Sequence, residues 1–419
     1  MYSFAHISDC HLGANRDPFL RSLEIEAFNR AMDECVRRRV DFVLITGDLF
    51  HSNIPDLGVA NEAVKKMSEV AASGIPIYVI YGSHDYSPNE TSLVDILSSA
   101  NLFRKVVRGE VKNGKLKLHF FQDPKTGAKI AGISARRLGI ERKYFEMLDR
   151  ESLEKEAGFK IFAFHSAVTE LKPDYLTHMV SVPLSYFPRG FNYLAGGHIH
   201  QHLIRKVDGY GTVAYPGALF AGYPRDLEDT AKGVRRGFLI VSFRDDVENV
   251  EFVEVPGPEY LYFEYDATGK NSTRVAEDLE TKAGELPVEN RIVLMKIAGE
   301  MSGGNTSDIN FMELRNTLMR RGALYVGINR HGLTTREYGA VTTMAEDVGE
   351  VERKLFRENI GAVKVSVDSL RGDAGAKLAV ELLSVLRQSQ KAGETKKDYE
   401  ARMLREAIHL LKLEEAFQG

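Results

Sequence analysis

One arrangement constrains this chain more than any other: short apolar, β-rich runs that end in residues able to hold a metal ion. Five blocks carry those residues: Asp9-Cys10-His11, Gly47-Asp48, Gly82-Ser83-His84-Asp85, His165 and Gly197-His198-Ile199-His200. Four of the five follow directly on such a run. Residues 40–45, 75–80 and 160–164 read as buried strands, and residues 2–7 as a further one. The expected result is a set of carboxylates and imidazoles on one face of a sheet, at the carboxyl ends of its strands, where open α/β sheets place their sites.

Each block alone has an ordinary explanation. Asp9-x-His11 and His198-x-His200 put two donors at i and i+2, which extended backbone turns to the same side, but such pairs are common on surfaces. Asp48 after a glycine can be a helix cap or a site residue, whose two oxygens can bridge two cations. His165, ending an apolar strand, can be a satisfied core residue. Coincidence does not readily explain all of them together. A mixed Asp/His set argues against magnesium alone and against thiolate-rich structural zinc, and it fits manganese or iron. Two such ions ~3.5–4 Å apart would clamp a phosphodiester and activate a water. Other residues are read as structural: His6 and Cys10 as core, His202 at the rim. Asp266-Ala267-Thr268-Gly269-Lys270-Asn271 lacks the leading glycine and the hydroxyl residue of a phosphate loop.

At 419 residues, with 43% hydrophobic and 27% charged residues, the chain can build two or three domains. A net charge of −4 does not advertise a nucleic-acid ligand, so any DNA contact must come from local patches and bound metal. Two cysteines, Cys10 and Cys35, give no disulfide framework and point to a reducing cytoplasm. The N-terminal residues read as a strand rather than a signal peptide, and no apolar stretch approaches the ~20 residues of a membrane span. Through about residue 255, strands alternate with amphipathic helices, as in a layered α/β domain. A turn at Val255-Pro256-Gly257-Pro258 opens a small α+β unit, with strands at 260–265, 291–297 and 323–328 and helices at 273–284 and 311–321. Polar sequence follows, and then two helical runs separated near 390–394.

The order Asp-x-His, Gly-Asp-Leu-Phe-His, Gly-x-His-Asp, His, Gly-His-x-His resembles the calcineurin-like metallophosphoesterases. The fuller strings Ile7-Ser8-Asp9-Cys10-His11-Leu12-Gly13 and Gly47-Asp48-Leu49-Phe50-His51-Ser52, with Tyr215-Pro216-Gly217-Ala218, look like the double-strand-break-repair nucleases of the Mre-eleven/SbcD type, especially archaeal members. The resemblance covers about residues 1–240. It implies an α/β fold: a layered β-sandwich metallophosphoesterase core flanked by helices (1–255), a small α+β capping domain (256–330), a linker (331–372) and a C-terminal helical segment that binds an ATPase partner (373–419).

Carried over by position, Asp9, His11, Asp48 and His200 would hold the first metal, and Asp48, His165 and His198 the second. The implied cofactor is two Mn(2+) ions per subunit, with Fe or Mg as substitutes. His84 would contact the scissile phosphate and assist the leaving oxygen, Asp85 would orient its ring, and His51 would lie on the substrate side. One position departs from the family: Ser83 stands where an Asn side chain would ligate the second metal, and its shorter, neutral hydroxyl reaches less far.

The resemblance implies a DNA exonuclease on duplex ends and an endonuclease on single strands, a homodimer, and an SMC-like ATPase of the Rad-fifty type that docks the terminal helices. Residues 373–419 carry eight basic and eight acidic residues around two narrow apolar stripes, too little to fold unaided, so they must dock on this chain or on another. Arg136, Arg137, Arg235 and Arg236 are the basic residues favoured as DNA contacts. Two other readings stay open: a stand-alone phosphodiesterase for small substrates, and a DNA-end-binding scaffold with a weakened second metal site at Ser83. The expected location is cytoplasmic, at the nucleoid.

Overall fold

The computed structural model describes residues 1–85, 92–136, 140–173, 176, 178–335, 356–357, 372–391, 394 and 396–411. Arg137 and most of the expected 331–372 linker therefore lie outside the described residues. Residues 1–333 form one compact unit and 334–419 another.

The first unit is built on two six-stranded sheets. One runs, in spatial order, Val247–Glu254, Gly237–Phe243, Tyr2–Ile7, Phe42–Thr46, Ile77–Ile80 and Arg104–Lys105. The other runs Leu203–Val207, Gly211–Tyr215, Tyr193–Gly197, Lys160–His165, Lys129–Ile133 and Phe121–Gln122. The central strands of both are parallel. Phe42–Thr46 and Lys160–His165 are buried at every position, which is why they read as unbroken runs rather than alternating ones: both faces of a central parallel strand are covered. The layer between the sheets holds Phe4, Phe42, Leu44 and Ile80 against Ile161, Ala163, Tyr193 and Ala195. His6 belongs to this interior as expected, its ring nitrogens 2.9 Å from Tyr193 Oη and 2.9 Å from Thr46 Oγ1.

Helices Pro18–Arg38 and Leu57–Ala72 cover the outer face of the first sheet. Asp17 caps the first of them through the amides of Phe19 and Leu20, with Pro18 at its first turn. Asp56 caps the second, so the cap reading of Asp48 does not apply. Farther along, parallel strands Glu259–Asp266, Arg291–Met301 and Tyr325–Asn329 pack on helices Ser272–Glu285 and Phe311–Arg320 around a core of their own. These elements fall within a few residues of those read from the sequence.

In the second unit, helices Gly372–Leu386 and Lys396–Leu410 are joined by polar clasps: Arg402 donates to Glu394 and to Gln388 Oε1 (2.7 Å). Leu386 and Leu404 stay more than half exposed on their apolar stripes. Among the described residues, no helix is long and apolar enough to cross a membrane.

Candidate metal centre

The metal-binding blocks converge, but from two sheets rather than from one face of a single sheet as the sequence reading had it. Asp9, Asp48 and His84 follow strands Tyr2–Ile7, Phe42–Thr46 and Ile77–Ile80 of the first sheet; His165 and His198 end Lys160–His165 and Tyr193–Gly197 of the second. The alternation argument also needs correcting. Asp9, His11, Asp48 and His198 have left-handed backbone (φ 51°, 45°, 50° and 87°), so their side chains converge by sharp turns past the strand ends and not by extended pleating. Such conformations are costly for residues with a Cβ and cluster where function demands them. Close packing of the turns adds a second constraint. A Cβ on Gly82 would stand 2.0 Å from Asp48 Oδ1, and one on Gly197 2.2 Å from the Thr46 carbonyl.

Three sets of side chains bring ligand atoms within 4.8 Å of one another: Asp9/His11/His200, Asp48/His165/His198 and His11/His51/His84. Asp48 joins the first two. Its Oδ2 lies 3.1 Å from His165 Nε2 and 3.7 Å from His11 Nε2, while its Oδ1 accepts the His84 amide at 2.8 Å. A single oxygen, Oδ2, therefore faces both histidine clusters. Asp9 Oδ1 is 3.8 Å from His200 Nε2 and 3.9 Å from His165 Nε2, and its carboxylate accepts the His198 amide at 3.0–3.1 Å.

The imidazoles are held with chosen nitrogens turned inward. His165 donates from Nδ1 to the Thr46 carbonyl (2.8 Å), and His200 from Nδ1 to Asp226 Oδ2 (2.9 Å). Both Nε2 lone pairs then face the site. Among the described residues, His165 Nε2 and His11 Nδ1 are buried without a hydrogen-bond partner, and the Nε2 atoms of His11 and His200 stand 3.1 Å apart. Converging lone pairs and carboxylate oxygens without internal donors fit divalent cations; Cys10 is buried in the apolar core and offers no thiolate there.

Without metal, protons stand in. Burial pulls the His165 imidazole down, but the Asp48 and Asp9 carboxylates overcome it and raise its pKa to about 10. Burial, with the His165 charge beside it, lowers His198 to about 3. Metal loading has to expel the proton on His165.

His84 sits at the edge of this centre. Its Nδ1 donates to the His51 carbonyl (2.7 Å), its ring stacks on that of His51 at 4.9 Å, and its Nε2 meets Tyr223 Oη at 2.9 Å. Asp85 does not orient that ring, contrary to expectation. Its buried carboxylate accepts the amides of Leu49, Phe50 and Gly82 at 3.0–3.3 Å, fastening the Asp48 and Ser83 turns together. Among the described residues, Ser83 Oγ reaches only toward Asp48 Oδ2, at 3.4 Å. Ser83→Asn should lower the manganese concentration for half-maximal activity several-fold, because a longer amide oxygen can enter the second cluster; superimposable titrations of the two proteins would refute this.

The structure adds residues that sequence reasoning did not single out. Asp226, in helix Pro224–Ala231, holds His200 and also accepts the amides of Gly222 and Tyr223. Its only sequence signal is a helix start, Tyr-Pro-x-Asp, just beyond the last histidine pair. Asp226→Asn should weaken manganese binding about 10-fold or more, as loss of a carboxylate behind a ligand histidine does, read as a smaller manganese-induced rise in unfolding temperature.

Arg236, expected to contact DNA, is instead 5% exposed and donates to the carbonyls of His200 (2.6 Å) and Asp226 (2.8 Å). It braces the His200 turn just before strand Gly237–Phe243 begins. Arg235 is exposed, its guanidinium 5.1 Å from the Phe252 ring; Arg136 is half-buried over Tyr144, at 5.8 Å. A cavity of about 330 Å³ opens over the centre, lined in part by His11, Asp48, Ser83, His84, His198 and Tyr223.

Residues 2–202 match the calcineurin-like phosphoesterase family. That match, with the ligand clusters described above, makes the protein a metal-dependent phosphoesterase. Among curated proteins, the chain is similar to the DNA double-strand break repair protein Mre11 of Methanococcus maripaludis, 28% identical over 67% of this chain and 74% of the relative. The Mre11 protein of Archaeoglobus fulgidus is likewise 28% identical, over 60% of each chain. An uncharacterized metallophosphoesterase of Bacillus subtilis, YhaO, is 24% identical over 71% of this chain and 72% of its own length.

Proposed function

We propose that this protein is a manganese-dependent DNA nuclease of double-strand-break repair, an exonuclease on duplex ends and an endonuclease on single strands. The observation that carries the reading is Asp48 Oδ2 between two histidine clusters, with His84 beside it at the mouth of the cavity. Nitrogen and carboxylate donors without thiolate favour manganese or iron. Two divalent ions held there would supply positive charge against the phosphodiester oxygens and acidify a water. Asp9, His11 and His200, with Asp48, would hold one ion; Asp48, His165 and His198 would hold the other.

His84, fixed through Nδ1, turns Nε2 to the leaving oxygen and supplies its proton. His51 packs against it on the substrate side. The polymeric substrate is inferred from the likeness to the archaeal repair proteins. On the same likeness the protein works in the cytoplasm as a homodimer, with an SMC-like ATPase docked on the half-exposed stripes of the terminal helices. Exposed Arg235 and half-buried Arg136 are proposed to touch the DNA backbone.

The deciding experiment incubates purified protein and manganese with linear duplex DNA, circular single-stranded DNA and bis(p-nitrophenyl) phosphate, with and without the ATPase. Degradation of both DNAs is expected. Cleavage of the small diester alone would favour a small-substrate phosphodiesterase, and cleavage of none of them an end-binding scaffold.

A further inference from the structure

We propose that Tyr223 is a substrate-contacting residue whose phenol hydroxyl donates a hydrogen bond to the phosphate oxygen seated beside His84. The inference rests on the phosphodiester reading of the centre, not on DNA as the diester. Tyr223 lies outside every ligand block, yet its ring stands over the centre, 5.5–5.6 Å from the rings of His11, His51 and His200 and nearly parallel to the last of these. Its hydroxyl is 2.9 Å from His84 Nε2.

Hydrogen-bond accounting fixes who donates. His84 Nδ1 carries its proton to the His51 carbonyl, so in the neutral ring Nε2 can only accept, and Tyr223 is the donor. Substrate that brings its leaving oxygen to His84 Nε2 takes the place of the phenol there. The phenol hydrogen is then released to another acceptor. In a cavity floored by side chains that would hold metal, the acceptor delivered with substrate is an anionic phosphate oxygen. Tyr223 and His84 thus contact the same phosphate side by side. Tyr223 is 38% exposed at the cavity rim, so turning its hydroxyl disrupts no core packing.

Tyr223→Phe keeps the ring and its stacking and removes only the donor. With manganese-loaded protein, inorganic phosphate serves as a probe independent of turnover, followed by the phosphate-induced shift in unfolding temperature. Phosphate affinity should fall about tenfold, the scale of one charge-assisted hydrogen bond. kcat/KM for bis(p-nitrophenyl) phosphate should fall by a similar factor, while manganese affinity and the unfolding temperature without phosphate stay unchanged. Unchanged phosphate affinity in Tyr223→Phe would overturn the proposal, and tighter binding would show that Tyr223 merely covers the site. Wild-type protein that binds phosphate but leaves DNA intact refutes the DNA-nuclease reading alone, and the Tyr223 comparison stands. Wild-type protein that binds no phosphate with manganese present overturns both.

Discussion

Asp48→Asn should abolish the manganese-induced stabilisation of the protein and lower phosphodiesterase activity by at least about 10³-fold, roughly 4 kcal/mol of barrier. The size follows from position. Asp48 Oδ2 is the oxygen that lies 3.1 Å from His165 and 3.7 Å from His11, so one substitution strips the shared anionic ligand from both clusters. Replacing any one histidine leaves the other cluster intact. Asparagine is nearly isosteric and can still accept the His84 amide, now made to Asp48 Oδ1 at 2.8 Å, so the turn itself should survive.

Burial alone would raise the Asp48 carboxyl, but the His165 charge beside it holds it well below the usual range. The mutant therefore loses a buried ion pair as well as a ligand, and His165 should titrate far lower in it. Thermal unfolding with and without manganese, run beside the diester assay, separates these effects. A folded mutant that keeps both its manganese shift and its rate would remove Asp48 from the centre.

What the sequence made legible was which side chains gather at the candidate centre, and the reason is physical. Central parallel strands such as Phe42–Thr46 and Lys160–His165 are apolar throughout, so a carboxylate or imidazole at the end of one stands out. The same uniformity hides which sheet a strand joins. The two halves of the centre come from different sheets, and nothing in the runs themselves distinguishes them. The turns were illegible for another reason: left-handed backbone at Asp9, His11 and Asp48 is imposed by tertiary contacts, not by residue type.

Charge was the weakest guide. Arg235 and Arg236 are adjacent and identical, yet one faces solvent and the other is buried against two carbonyls. Lys112 and Lys115 flank the turn of a hairpin, Arg108–Lys112 with Lys115–His119. Its signals were present, in the Asn113-Gly114 turn and in Leu116 and Leu118 alternating with exposed residues.

His84→Gln should lower kcat by about 10²–10⁴-fold, the range of a lost general acid, with manganese affinity unchanged. His84 makes three of its hydrogen bonds here: its amide to Asp48, Nδ1 to the His51 carbonyl and Nε2 to Tyr223. Glutamine keeps the amide and can replace one ring contact, but it cannot deliver a proton to a leaving oxygen. Loss of rate without loss of metal binding would separate proton delivery from metal holding. A parallel fall in manganese affinity would instead make His84 a ligand through the His11/His51/His84 cluster.

Asp85→Asn supplies the contrast. Asp85 does not touch the His84 ring, and its carboxylate gathers three backbone amides from the Asp48 and Ser83 turns. Its loss should therefore appear as a lower unfolding temperature in the metal-free protein and as weaker manganese binding. In Asp85→Asn brought to metal saturation, kcat should stay close to that of the wild type. A kcat at saturating manganese as low as that of His84→Gln would return Asp85 to the role of orienting the imidazole.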